Sequence, residues 1–176
     1  MSSSTLDQFD RAILRSLQSD SHLSFAQLGE AANLSASACH KRVKSMERAG
    51  LISGYVATVD EEKLQLRTSV FVQISLASQK QESLEAFEHA MRRHEEIMEC
   101  FLMAGLSDYL LRVLCRDAED YERIHTTILV RLPGVERVVS NFSIRKVIRR
   151  TAVPLSPGEN QMRPKRKSKA HSARSR

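Results

Sequence analysis

Apolar residues recur at helical spacing in three short segments at the start of the chain, and after residue 50 the pattern shifts between alternating and helical runs. LDQFDRAILRSLQSD places Phe9, Ile13, Leu14 and Leu17 on one face, with Asp7 near the start of a helix. FAQLGEAA follows Ser24, a good N-cap, and puts Phe25, Leu28 and Ala32 together. Gly29 permits a second helix to come close, and Asn33 suits a turn that needs positive φ. LSASACHKRVKSMERAG begins with the N-cap candidate Ser35 and ends at Gly50, where helices commonly turn left-handed. Each helical residue advances about 100°, so Cys39, Val43 and Met46 form a narrow apolar stripe. Ser37, Lys41, Lys44 and Arg48 fall opposite, flanked by His40 and Ser45. Three helices with a tight turn before the third predict a helix-turn-helix module.

The second half predicts a different layer. LISGYVATVD alternates like an extended strand linking two domains, and VFVQISLA places Val70, Val72, Ile74 and Leu76 on one face. QESLEAFEHAMRRH returns to helical spacing through Leu84, Phe87 and Met91. Two strand-like runs, IMECFLMAG and YLLRVLC, are joined at Gly105-Leu106-Ser107-Asp108. DAEDYERIHTTILVRL reads as a helix capped by Asp117, Pro133-Gly134 stops it, and VERVVSNFSIRKVI supplies a last strand. The order β-α-β-β-α-β is that of the ferredoxin-like split unit, so the expected fold class is α+β. Both helices cover one face of its antiparallel sheet. Phe71 lies on the other, and a partner subunit is its natural cover, which predicts a homodimer.

Charge sharpens the reading of the third helix. Lys41, Arg42, Lys44 and Arg48 stand there against Glu47 alone. A buried stripe opposite a cationic ridge suits a helix laid against double-stranded DNA, whose phosphates take Lys and Arg; the alternative is an ordinary helical bundle with a solvated basic face. The whole-chain excess of +6 does not bear on this. Residues 1–56 hold six basic and five acidic residues, and 57–155 hold fourteen and fifteen. Residues 156–176 hold seven and one, and their polar composition predicts a basic disordered tail. Such a tail either attracts phosphates without regard to sequence or simply keeps the chain in solution. No apolar run approaches the ~20 residues of a membrane span. MSSSTLDQFD has no basic-then-apolar pattern, so no secretory leader is expected. Cys39, Cys100 and Cys115 are odd in number and sit in apolar patterns, which fits reduced core residues of a cytoplasmic protein and neither disulfides nor a metal site.

Four pieces in order carry a resemblance: LDQFDRAILRSLQ, the pair of helices ending LSASACHKRVKSMERAGLISGY, then GLSDYLLRV, then LVRLPGV before the last strand. Over residues 6–155 the chain resembles the Lrp/AsnC (feast/famine) transcription regulators. The resemblance implies a helix-turn-helix DNA-binding domain at 6–52, a linker strand at 53–65 and a regulatory, oligomerising domain of amino-acid metabolism at 66–150. It implies homodimers that assemble further, often to octamers, with no cofactor beyond a small amino-acid effector. On matching positions Ser35, Ser37, His40, Lys41, Arg42, Lys44 and Arg48, with Ser45 beside them, become the DNA-contacting set; Arg42 lies at the edge of the buried side and is equally suited to a structural ion pair. The effector is expected near Gly105, Leu106, Ser107, Asp108 and Tyr109. Free loop amides there can hold a carboxylate and Asp108 an ammonium, unless Gly105 and Asp108 only make a turn. Many relatives carry an acidic residue where this chain has Leu106, which argues against a cationic effector.

Two alternatives share the architecture. One is a DNA-wrapping protein that ignores effectors. The other is an enzyme like the siroheme decarboxylases, but His22, His40, His89, His94, His125 and His171 form no recognised ligand spacing, and the intact basic third helix favours DNA over catalysis.

Overall fold

A computed structural model describes residues 6–155. The described residues divide into two compact units, one made of residues 6–56 with 149–155 and the other of residues 57–148.

The first unit is built on three helices, α1 (Gln8–Ser19), α2 (Phe25–Ala32) and α3 (Ala36–Arg48). Each begins on a side-chain cap. Asp7 accepts from the Asp10 backbone N–H at 2.8 Å, Ser24 from that of Gln27 and Ser35 from that of Ala38. These bonds satisfy amides that have no partner inside the helix. Asn33 ends α2 at φ 54°, and Gly50 follows α3 at φ 71°. Gly29 is needed for packing: a Cβ there would lie 2.5 Å from the carbonyl oxygen of Leu34, in the turn that leads into α3. The core is Ile13, Leu14, Leu28, Ala32, Cys39, Val43 and Met46, with Leu6, Leu17, Leu23, Leu34, Ile52 and Leu155 packed around it.

The second unit holds β1 (Thr68–Leu76), α4 (Gln81–Met91), β2 (Ile97–Leu102), β3 (Tyr109–Cys115), α5 (Ala118–Thr127), a 3-10 turn at Leu129–Arg131 and β4 (Val135–Phe142). The strands form one antiparallel sheet in the order β2-β3-β1-β4, as the predicted ferredoxin-like unit requires. Val70, Val72, Ile74 and Leu76 are buried with Phe87 and Met91 of α4 and Tyr121 and Ile124 of α5. On the opposite face two rows cross the sheet in register: Phe101, Leu110, Gln73, Val139, and Glu99, Arg112, Phe71, Asn141. Phe71, Phe101 and Val139 are exposed there.

Three details depart from the sequence reading. Residues 53–60 join no strand, because an alternating segment without a neighbour has no ladder to complete. A turn follows, with Gln65 at φ 61° and Glu61 beside Arg112 and Lys146. α5 stops at Thr127, and the next turn tightens to 3-10 ahead of Pro133. β4 stops at Phe142, where its register with Val70 is the last pairing. The expected tail at 156–176 lies outside the described residues.

Candidate nucleic-acid interface and effector loop

The apolar stripe of α3 fixes what the helix shows to solvent. With Cys39, Val43 and Met46 buried, Ser35, Ser37, His40, Lys41, Lys44, Ser45 and Arg48 are all exposed. Ser35 is occupied as the cap, and its hydroxyl also shares a 3.1 Å hydrogen bond with that of Ser37. His40 meets the half-exposed ring of Phe25 edge-on, with centroids 4.7 Å apart. Lys41 makes no hydrogen bond or ion pair among the described residues and is fully available. Lys44 lies 2.7 Å from Glu47, whose other carboxylate oxygen accepts from the Tyr55 hydroxyl at 3.1 Å. The Lys44 ammonium and then the Tyr55 hydroxyl keep the Glu47 carboxyl below its ordinary range.

Arg42 behaves differently. Its guanidinium is turned to the start of α1, 2.8 Å from Asp7 and 2.8 Å from Asp10, with the Phe9 ring at 5.4 Å. The Asp10 backbone N–H, and after it Arg42, lowers the Asp7 carboxyl, while Asp10 and Asp7 in turn raise the guanidinium. Of the two roles open to Arg42, these bonds belong to the structural one: it ties α3 to α1.

The connection between β2 and β3 carries the expected effector residues. Gly105 is not left-handed, Leu106 is 96% exposed, and residues 104–107 make no hydrogen bond among the described residues. Their amides are therefore open to a ligand. Asp108 is not. One oxygen accepts from the Leu76 backbone N–H at 2.7 Å, the other from the Gln79 carboxamide at 2.7 Å, and its own N–H donates to Ile74. Tyr109 points inward, its ring 4.5 Å from that of Phe87 and its hydroxyl donating to Glu88 at 3.0 Å. Burial, reinforced by Glu88, raises the phenol well above its ordinary range. The loop thus offers backbone amides with an anchored acid beneath them.

Three residues that the sequence pattern did not mark complete the first unit. Leu155 packs against its core, Arg15 donates to the Leu155 carbonyl at 3.1 Å, and Gln18 bonds both backbone groups of Val153. No periodicity announces a contact between positions more than 130 apart.

Two segments of the chain match known protein families. Residues 6–53 match a winged helix-turn-helix DNA-binding domain, and residues 69–153 match the Lrp/AsnC ligand binding domain. The Bkd operon transcriptional regulator of Pseudomonas aeruginosa is 39% identical over 150 residues, 85% of this chain and 98% of that protein. The chain belongs to the Lrp/AsnC family. As a family member it is a DNA-binding transcriptional regulator with an α+β regulatory domain. The leucine-responsive regulatory protein of Escherichia coli is 39% identical over 130 residues, 74% of this chain and 79% of that protein. A transcriptional regulator of Neisseria meningitidis, solved with L-Met, matches with a TM-score of 0.81 and 30% identity, covering 86% of this Lrp/AsnC chain and 97% of its own. Among the described residues no group of side chains could hold a metal ion, and no helix is long and apolar enough to cross a membrane.

Proposed function

We propose that this regulator reads operator DNA with α3 and tunes that binding with a small amino acid at the loop 105–109. The observation that carries it is the exposed ridge of Ser37, His40, Lys41, Lys44, Ser45 and Arg48, held outward by a fully buried opposite stripe. Lys41 and Arg48 supply phosphate neutralisation, and the short Ser and His side chains suit close approach to the groove floor. Ser35 contributes as the helix cap and Arg42 as the brace to α1. Gly105, Leu106 and Ser107 hold the effector carboxylate through their amides, while Asp108 and Tyr109 fix the loop. Genes of amino-acid metabolism are the expected targets, in line with the leucine-responsive relative and the L-Met complex. The row of exposed apolar residues on the helix-free face is the surface through which two copies pair, and dimers then assemble to octamers. The protein acts in the cytoplasm, by binding and without catalysis.

A second reading has its own support. Both oxygens of Asp108 are already bonded and Leu106 brings no charge, so the loop has no free acid for an ammonium. This favours a DNA-organising protein with little effector response.

Fluorescence anisotropy on duplex from the gene's own upstream region, beside a scrambled duplex and with each proteinogenic amino acid, separates the two. Preference shifted by one amino acid supports the first reading. Preference that none shifts supports the second. If Lys41→Ala with Lys44→Ala, still folded, binds as the parent does, α3 is not the reading element.

A further inference from the structure

Phe25 shares a helical face with Leu28 and Ala32, so periodicity assigns it to the core. The core does not take it up. Leu28 and Ala32 are 1% and 4% exposed, but Phe25 is 37% exposed. Its ring stands at the outer end of that face, where His40 of α3 meets it edge-on, with centroids 4.7 Å apart and planes at 74°. Both residues are held in place. The Ser24–Gln27 capping box fixes the first turn of α2, which Phe25 begins, and Gly29 seats that helix directly on the backbone of the turn into α3. His40 is exposed, and neither of its ring nitrogens has a hydrogen-bond partner among the described residues. An apolar ring left in water beside an imidazole with open nitrogens is a surface with two different things to offer.

We infer that Phe25 and His40 form one base-reading pair, His40 donating to a purine N7 and Phe25 packing on the C5-methyl of an adjacent thymine. This rests on α3 as the reading helix, and it brings a residue of α2 into the reading. Position allows it. The N-terminal half of a recognition helix is the half that reaches base edges, and His40 is fifth of the thirteen residues of α3. Around the helix axis it lies about 60° from Ser37 and about 40° from Lys44. A major groove about 12 Å wide closes around the outward side of a helix, and this flank lies within it. Chemistry then names the target. An imidazole N–H needs an acceptor, and N7 is the major-groove acceptor that both purines share. A phenyl ring finds no partner among the polar base edges, but the thymine methyl is an apolar one. Two side chains in ring contact have reach for neighbouring base pairs only, so the two targets must be adjacent.

The test begins with selection of binding sites by the full chain from a pool of random duplexes. The consensus is then remade with single groups removed: deoxyuridine for each thymidine in turn, which deletes the methyl, and a 7-deazapurine for each purine, which deletes N7. The full chain and its Phe25→Ala, Phe25→Leu and His40→Ala variants are titrated on every duplex by anisotropy, with circular dichroism melts to confirm folding. For the parent, loss of one thymine methyl should weaken binding about fourfold, and loss of N7 from the purine beside it about fivefold. Phe25→Ala should be indifferent to the first change and His40→Ala to the second, each keeping its response to the other. Phe25→Leu retains apolar bulk and should restore part of the methyl response, which also serves if Phe25→Ala does not fold. Variants that lose affinity equally on every duplex would make the ring contact a brace between α2 and α3 and overturn the proposal. Responses that vanish at base pairs far apart overturn it as well. If the parent enriches no consensus, or if Lys41→Ala with Lys44→Ala binds that consensus as the parent does, the reading by α3 itself fails and the pair falls with it.

Discussion

Among the cations of α3, position on the helix circumference decides what each one does. Arg42 and Lys41 are neighbours in sequence, yet a 100° step sends one guanidinium to the carboxylates of α1 and leaves the other cation in solvent. Arg42→Ala is accordingly expected to lower the stability of the first unit by about 1 kcal/mol, a partly exposed network being screened by water. Its effect on the salt slope of DNA binding should be slight. Lys41→Ala with Lys44→Ala should do the reverse: unchanged melting, weaker binding, and a slope lower by about 2 per protomer. Thermal melts and salt titrations of the variants check both. In the second unit, Asp120 is 8% exposed and accepts from the Arg116 backbone and side chain and from Arg123. The Arg116 side chain, followed by its backbone N–H, holds the Asp120 carboxyl down to about 2. A carboxyl depressed on folding stabilises above its unfolded pKa near 4, and that contribution is lost as pH falls from there through about 2. Asp120→Asn should therefore melt lower at neutral pH by an amount that shrinks toward the parent as the buffer is taken to pH 2–3.

Elements were legible in the sequence wherever their causes are local. Asp7, Ser24, Ser35 and Asp117 cap helices as their positions predict, and Asn33 and Gly50 take the positive φ their turns need. What depends on a distant partner was not legible. Residues 53–60 alternate but find no strand, and β4 ends at Phe142, short of its apolar pattern, with one further bond from the Ser143 N–H to the Ser69 carbonyl at 2.9 Å. The candidate site divides in the same manner. The exposed ridge follows from periodicity alone, but the bonds that occupy Arg42 and Asp108 come from other elements. The turn between α2 and α3 is tight enough to test. Gly29→Ala would push a methyl to 2.5 Å from the Leu34 carbonyl; since backbone cannot yield cheaply, a loss of about 1–3 kcal/mol is expected, read by denaturant unfolding. Between α3 and the residues after it, Tyr55 and Glu47 restrain Lys44. Glu47→Gln should free that ammonium and tighten binding to any duplex by about two- to threefold, with no gain in preference for the operator.

At the scale of the whole molecule, the second unit hides one face of its sheet beneath α4 and α5 and leaves Phe71, Phe101 and Val139 uncovered on the other. Phe71→Glu is expected to leave the fold intact, because the side chain already meets water, and to lower the assembled mass seen by light scattering if copies pair through this face. A variant that keeps the parent's mass would put the pairing elsewhere. The return of the chain to its first unit has a different bearing, on how such a protein is taken apart or recombined. A DNA-binding module cut after residue 53 is missing a piece of its own packing, the notch that Leu155 fills and the bonds that Arg15 and Gln18 make. Grafting it onto a foreign regulatory domain exposes that notch unless the new domain brings an equivalent closing segment. Conversely, a protease that nicks the linker near residue 60 severs the peptide but not the contacts of Val153 and Leu155 with α1, so the two fragments should elute together until denaturant separates them. The working boundary of this DNA-binding domain therefore encloses two stretches of chain, and inheritance of the module depends on keeping both.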